Sequence, residues 1–323
     1  MGDAYTKIRK IGIFVIIMRK GGKIGFAIVW GLTRPLAVLP LGFHHAMGNF
    51  LGWLAGDVLH YRRDVVMTNI SRSFPDKKYD ELEQIRKRFY RHFGNVFTEA
   101  VWFGGCRNPE RLKKAGIVEI TNPGYINDCF DKGRSVFVMA SHVGNWELYG
   151  GYEHYADFHF DVHSIVEVYK RLSSPTFDRF IDFNRKAPIK DRKTFDGVVE
   201  TDDIMRYVIR HKDEFRLYNF ITDQSPYSNN RVKVNDFMHQ ETWSMVGVVS
   251  LARKFKLPVL YLDMPESSPG HYKMTYTVIC DDASTMEPVD VLNRYYELLQ
   301  ASIEAQPWNY LWTHKRWKST TNQ

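Results

Sequence analysis

The hydrophobic pattern divides the chain into three stretches of different character. The first carries two short apolar runs, Ile8 to Met18 (IRKIGIFVIIM) and Ile24 to Trp30, separated by Arg19, Lys20 and Lys23, and the second run continues through LTRPLAVLPLGFHHAMGNFLGWLAG. Neither is a clean membrane span, because about 20 predominantly apolar residues are needed and the second run is broken by Arg34, Pro35, Pro40, His44 and His45. The basic residues after the first run, with no small-residue cleavage site, fit a signal peptide poorly. The pattern predicts a membrane-associating helical segment over residues 1–56, with helices lying in or dipping into the bilayer interface, Trp30 and Trp53 at headgroup depth and the cations facing anionic lipid. A buried pair of core helices is the competing reading of the same lengths.

From residue 57 the pattern becomes that of a globular body, taken as one domain over 57–323. Leu82, Ile85, Phe89, Phe93 and Phe97 recur at three- and four-residue spacing among charges, which predicts a long amphipathic helix. Beyond Asn122-Pro123-Gly124, short apolar runs alternate with helical stretches: Ser135 to Ala140, Val162 to Tyr169, Leu217 to Thr222 and Pro258 to Asp263. Continuously apolar strands spaced by helices predict a sheet covered on both faces, hence an α/β fold with a mixed, mostly parallel central sheet flanked by helices. Tyr272 to Cys280 alternates and reads as an edge or antiparallel strand, and a closing helix is expected over about residues 288–304.

Composition narrows the function classes. Hydrophobic residues at 44% and charged residues at 25% of 323 exclude a disordered tail and a polytopic transporter. A net charge of +7 implies an anionic partner, nucleic acid or a lipid surface. No nucleic-acid recognition motif is present and the basic residues are interspersed with acidic ones, so a nucleic-acid partner is not expected. Cys106, Cys129 and Cys280 form no C-x-x-C pair, which points to a reducing compartment. His154, His159, Asp161 and His163 lack the spacing of a metal site, and neither a metal nor a bound cofactor is expected.

The chemistry concentrates in Met139 to Gly150 (MASHVGNWELYG), where an apolar strand ends in Ser141-His142, a turn follows at Val143-Gly144-Asn145, and Trp146-Glu147 opens a helix. Ligands gather at the carboxyl ends of strands in open α/β sheets. His142 is therefore placed as a general base, with Glu147 folding back to hold its imidazole and the amides at Gly144 and Asn145 available to an oxyanion. By spacing alone H-x-x-x-x-E is weak, and a solvated histidine beside a capping glutamate is the better account of a lone match.

The neighbouring residues add to this. SHVGNWELYG resembles the H-F-G-N-W-E signature of the bacterial lipid A late acyltransferases, the lauroyl and myristoyl transferases within the glycerolipid acyltransferase superfamily. Further blocks follow in family order: SIVEVYKRLSSPTFDRFID from Ser164 resembles a valine-tyrosine-basic segment with N-P-x-x-D-R, and Thr222-Asp223-Gln224 resembles A-D-Q. Phe237 to Val259 is similar to F-x-G, helix, A-P-V; QPWNYLWTHKRWK from Gln306 resembles P-E-Q-Y-x-W-x-H-R-R-F-K; and NISRSFP from Asn69 resembles N-L-x-x-C-F-P. Together they span about Leu51 to Lys318.

The resemblance implies an O-acyltransferase at the cytoplasmic face of the bacterial inner membrane, moving a fatty acyl chain from acyl carrier protein, or coenzyme A, to a hydroxyl of a lipid A precursor. It carries His142 over as base and Glu147 as partner, Asp223 and Gln224 as lining of the same cleft, and Lys170, Arg179 and Arg185 as cations near the precursor's phosphates. The expected partners are acyl carrier protein, the anionic glycolipid and inner-membrane phospholipid. An enzyme of the same fold acting on another acceptor (a phospholipid, aminolipid or glycolipid) is the second reading, and an idle lipid-binding protein the third. Two positions depart from the family: Phe237-Met238-His239-Gln240-Glu241 lacks the glycine of F-x-G, and Ser141 stands where asparagine is frequent.

Overall fold

The structure is a computed structural model that describes residues 22–226 and 230–317. The apolar run over residues 8–18 lies outside the described residues. The chain first forms α1 (Gly22–Ala37), α2 (Leu41–Trp53), α3 (Arg63–Ser73) and the long α4 (Tyr79–Phe103). Packing of α2 on α4 rests on the four-residue spacing of Gly48, Gly52 and Gly56. A Cβ at Gly52 would stand 2.1 Å from the Tyr90 carbonyl oxygen, and one at Gly94 would stand 2.0 Å from that of Gly48. Only glycine allows backbones this close. One face of α2 is thus buried on α4, while Phe50 and Trp53 remain exposed. Among the described residues no helix is long and apolar enough to cross a membrane.

After α5 (Pro109–Ala115) the chain winds a mixed α/β body. Its strands are β1 (Val118–Ile120), β2 (Val136–Ala140), β3 (Ile165–Tyr169), β4 (Val198–Glu200), β5 (Leu217–Ile221), β8 (Val259–Asp263), β9 (Glu266–Ser268) and β10 (His271–Cys280), in spatial order β1-β10-β8-β2-β5-β3-β4 with β9 beside β10. Five neighbours, β8, β2, β5, β3 and β4, run parallel; β10 runs against β8. The alternating segment is therefore antiparallel, as its pattern implied, yet interior, because β1 covers its far side. Helices α6 (Gly124–Asp131), α7 (Pro175–Arg185), α8 (Ile204–Arg210), α9 (Gly247–Lys254) and α10 (Pro288–Ala305) complete the described fold with α4, and two apolar clusters fill the space they enclose with the sheet.

A separate hairpin joins β6 (Arg231–Phe237) to β7 (Gln240–Met245). Its turn residues Met238 and His239 have φ of 51° and 61°, a backbone that favours glycine, at the segment where the family's glycine is missing.

Candidate active site

Strand register builds the centre of the site. Ala140, the last residue of β2, pairs with Ile221, the last of β5. Two residues further along each chain stand His142 and Asp223, so parallel pairing brings residues 81 apart in sequence side by side at the carboxyl edge of the sheet. The His142 Nδ1 lies 2.8 Å from Asp223 Oδ1, and its Nε2 lies 3.1 Å from Gln224 Nε2. Nδ1–H therefore donates to the carboxylate, while the Nε2 lone pair accepts from the Gln224 amide. Burial works to raise the Asp223 carboxyl, but the charge and hydrogen bond of His142, with His314 beyond, hold it below the usual carboxylate range. The Trp146 ring packs edge-on against the imidazole, centroids 4.7 Å apart.

The hydrogen bond expected from Glu147 to this imidazole goes elsewhere. Both Glu147 oxygens accept from Arg185, from Nε and Nη2 at 2.9 Å each, in a bidentate fork. The reason is local geometry: Trp146–His154 winds as a 3₁₀ helix rather than an α-helix, and Glu147 faces α7 instead of folding back over the turn. Glu167 on β3 adds a second carboxylate beside this pair; its Oε2 accepts from Asn219 Nδ2 at 3.0 Å and its Oε1 is buried without a partner. Burial, against the pull of Arg185 and Asn219 and helped by Glu147, pushes the Glu167 carboxyl up to about 8. Burial opposes the charge on Arg185, but Glu147 and Glu167 more than compensate and raise it above its ordinary value.

Gly144 and Asn145 shape the turn and do not face the cleft. Gly144 has φ 73°, and a Cβ there would meet the Met264 carbonyl oxygen at 2.4 Å. Its N–H donates to the Asn309 carbonyl at 3.0 Å, so it is not available to an oxyanion. Asn145 is 0% exposed: its Oδ1 accepts from the Glu147 N–H and its Nδ2 donates to Glu99 Oε2 at 2.7 Å. Glu99 also accepts from the Tyr272 hydroxyl at 2.9 Å, and His45 Nε2 stands 3.1 Å from its other oxygen. This buried knot ties the turn after His142 to α4 and to the end of the long strand. Glu99 was not singled out in the sequence, although it continues the buried stripe of Phe89, His92 and Val96 on α4. A carboxylate on such a stripe is a signal worth reading.

His142, Trp146, Gln224, Glu147, Arg185 and Glu167 line a cavity of about 770 Å³, while Asp223, expected as lining, stands behind His142 and is not part of that surface. His314 joins them, and Val168, Phe220 and Ile181 supply apolar surface. Lys170 also lines it, at the end of β3. Arg179 does not; it is exposed elsewhere on α7, so the three cations expected around phosphates are not gathered together. Among the described residues, no group of three or more His, Cys, Asp or Glu converges as a metal site.

A family model described as bacterial lipid A biosynthesis acyltransferase matches residues 14–319. The chain belongs to that family. No curated protein gives a match. Membership of the lipid A biosynthesis acyltransferase family makes the chain an acyltransferase family member with a lipid A-type acceptor, and it places the His142 pair and the cavity within the matched region.

Proposed function

We propose that the protein is a membrane-associated O-acyltransferase that moves a fatty acyl chain from acyl carrier protein to a hydroxyl of a lipid A precursor at the cytoplasmic face of the inner membrane. The observation that carries this reading is the His142–Asp223 pair opening onto a 770 Å³ cavity in a chain of this family. The acceptor hydroxyl displaces the Gln224 amide and gives its proton to His142 Nε2 as its oxygen bonds to the thioester carbonyl carbon. The oxyanion formed collapses, the C–S bond breaks, and the imidazolium returns the proton to the departing thiolate. Asp223 fixes the tautomer and offsets the charge that develops on the ring. Glu147 positions Arg185, which faces the same space.

Membranes carrying the wild type or His142→Ala, supplied with acyl carrier protein loaded with mixed chain lengths and a tetra-acylated precursor, test this reading by product mass. The wild type adds one acyl group and the variant loses activity by roughly 10³-fold or more. Full activity in the variant overturns the mechanism; no product with the wild type, at an intact fold, moves the acceptor to another lipid.

A further inference from the structure

On the face of α7 turned away from the cavity, Phe183 packs against Phe26 and Trp30 of α1, with centroid distances of 5.9 and 6.4 Å. The Arg107 and Arg192 guanidiniums lie 5.9 and 6.0 Å from the centre of the same ring. Two more arginines close the group. Arg34 Nη1 donates to the Gly104 carbonyl at 2.9 Å, and Arg111 donates to the Ala37 and Leu39 carbonyls at 2.8 Å each. Three of the four are half-buried. Among the described residues no carboxylate is within ion-pair distance of any of them, and the forces on Arg34 are burial first, then the charges of Arg107, Arg192 and Arg111, all lowering its pKa.

Gathering four like charges on one patch is costly unless an anion completes it. Other groups in the same wall point the same way, because they too are donors lacking an acceptor. The Trp30 indole N–H, on the ring that meets Phe183, is buried without a partner, and so is the Nδ2 of Asn184, whose side chain is 4% exposed and packs on Gly104. Every polar side-chain group named here donates. The neighbouring side chains of α1 and its C-terminal turn are apolar and outward: Leu32 is 65% exposed and Val38 63%.

We propose that Arg34, Arg107, Arg111 and Arg192 form a binding site for the phosphate ester of a membrane-lipid headgroup, with Leu32 and Val38 entering the acyl layer beside it. Guanidinium forks match phosphate oxygens, and a cation cluster beside exposed apolar residues is the chemistry of a bilayer interface. An acidic protein partner fits less well, because these arginines are held in one knot, Arg107 and Arg192 over Phe183 and Arg34 and Arg111 on backbone carbonyls, rather than spread over a surface the length of a helix. Arg111, with its terminal nitrogens held by Ala37 and Leu39, supplies charge and fixes the rim. The site lies across α7 from the cavity and does not depend on the acyl-transfer reading.

Partition of the full-length protein onto phosphatidylcholine vesicles with and without phosphatidylglycerol tests it. Arg107→Gln/Arg192→Gln is compared with wild type and with Arg72→Ala/Lys87→Ala, which removes two exposed cations outside the cluster, after thermal unfolding shows all three folded. The gain in partition from the anionic lipid falls at least about tenfold in the Arg107/Arg192 variant and persists in the control. Millimolar inorganic phosphate leaves the wild-type gain in place. Equal partition of the two double variants overturns the site. Abolition of the gain by inorganic phosphate overturns the lipid in favour of a soluble phosphate, and unchanged partition with lost affinity for acyl carrier protein overturns it in favour of a protein dock.

Discussion

Two carboxylate pairs border one cavity, one made to an imidazole and one to a guanidinium, and they are suited to different work. In the first, the His142 imidazole donates from Nδ1 to Asp223 and turns Nε2 to the Gln224 amide. In the second, the cation is Arg185, gripped through Nε and Nη2 by Glu147 and backed by Glu167 on β3. An imidazole can take up and release a proton near neutrality, whereas a guanidinium cannot. The first pair is equipped to move a proton and the second to hold shape and charge. Position of the acidic residue relative to its cation, rather than its spacing along the chain, separates the two roles.

Asp223→Asn breaks the comparison most severely if the roles are as described. The amide keeps the size of the side chain but no longer enforces the Nδ1–H tautomer, so kcat falls roughly 10²- to 10⁴-fold while the unfolding midpoint and KM for the acceptor change little. Glu147→Gln acts differently: it leaves Arg185 short of its bidentate partner in a mostly buried site, and it lowers stability by about 3 kcal/mol with a smaller, KM-weighted effect on turnover. Chemical denaturation and steady-state kinetics on both variants decide the matter. A Glu147→Gln enzyme as inactive as Asp223→Asn, yet as stable as wild type, would reverse the two assignments.

The fold was more legible than the site, and particular residues show why. Strands β2, β5 and β8 announce themselves as short apolar runs, and their observed ends fall within one residue of the pattern; α10, expected over 288–304, spans Pro288–Ala305. Local sequence controls these features. The partner of His142 is not a local feature: it depends on which strand pairs with β2 and in what register, and the nearby Glu147 was the natural choice without that knowledge. The Asp223-Gln224 block was placed in the cleft only through its resemblance to A-D-Q. A glycine turn at a strand end commonly faces ligand, which is what the sequence suggests for Gly144 and Asn145. Here the Asn309 carbonyl takes the Gly144 N–H, and Glu99 takes the Asn145 side-chain amide, both acceptors distant in sequence.

The effect that needs a pH scan to be seen concerns the second carboxylate beside Arg185, Glu167 on β3. With the Glu167 carboxyl raised to about 8 from an ordinary value near 4.5, the folded protein holds a proton that the unfolded chain has released over the interval between them. The stability due to the neutral form is therefore complete below about pH 4.5 and is lost progressively as pH rises towards 8. Glu167→Gln mimics that neutral form. It should be insensitive to pH in this interval where the wild type weakens, the gap widening by no more than about 1.4 kcal/mol per pH unit and levelling off above the folded value. Denaturation curves across the window measure the slope directly. Parallel curves for the two proteins would mean that Glu167 is ionised throughout, so that Arg185 would answer to two carboxylates and the group of three would carry net negative charge.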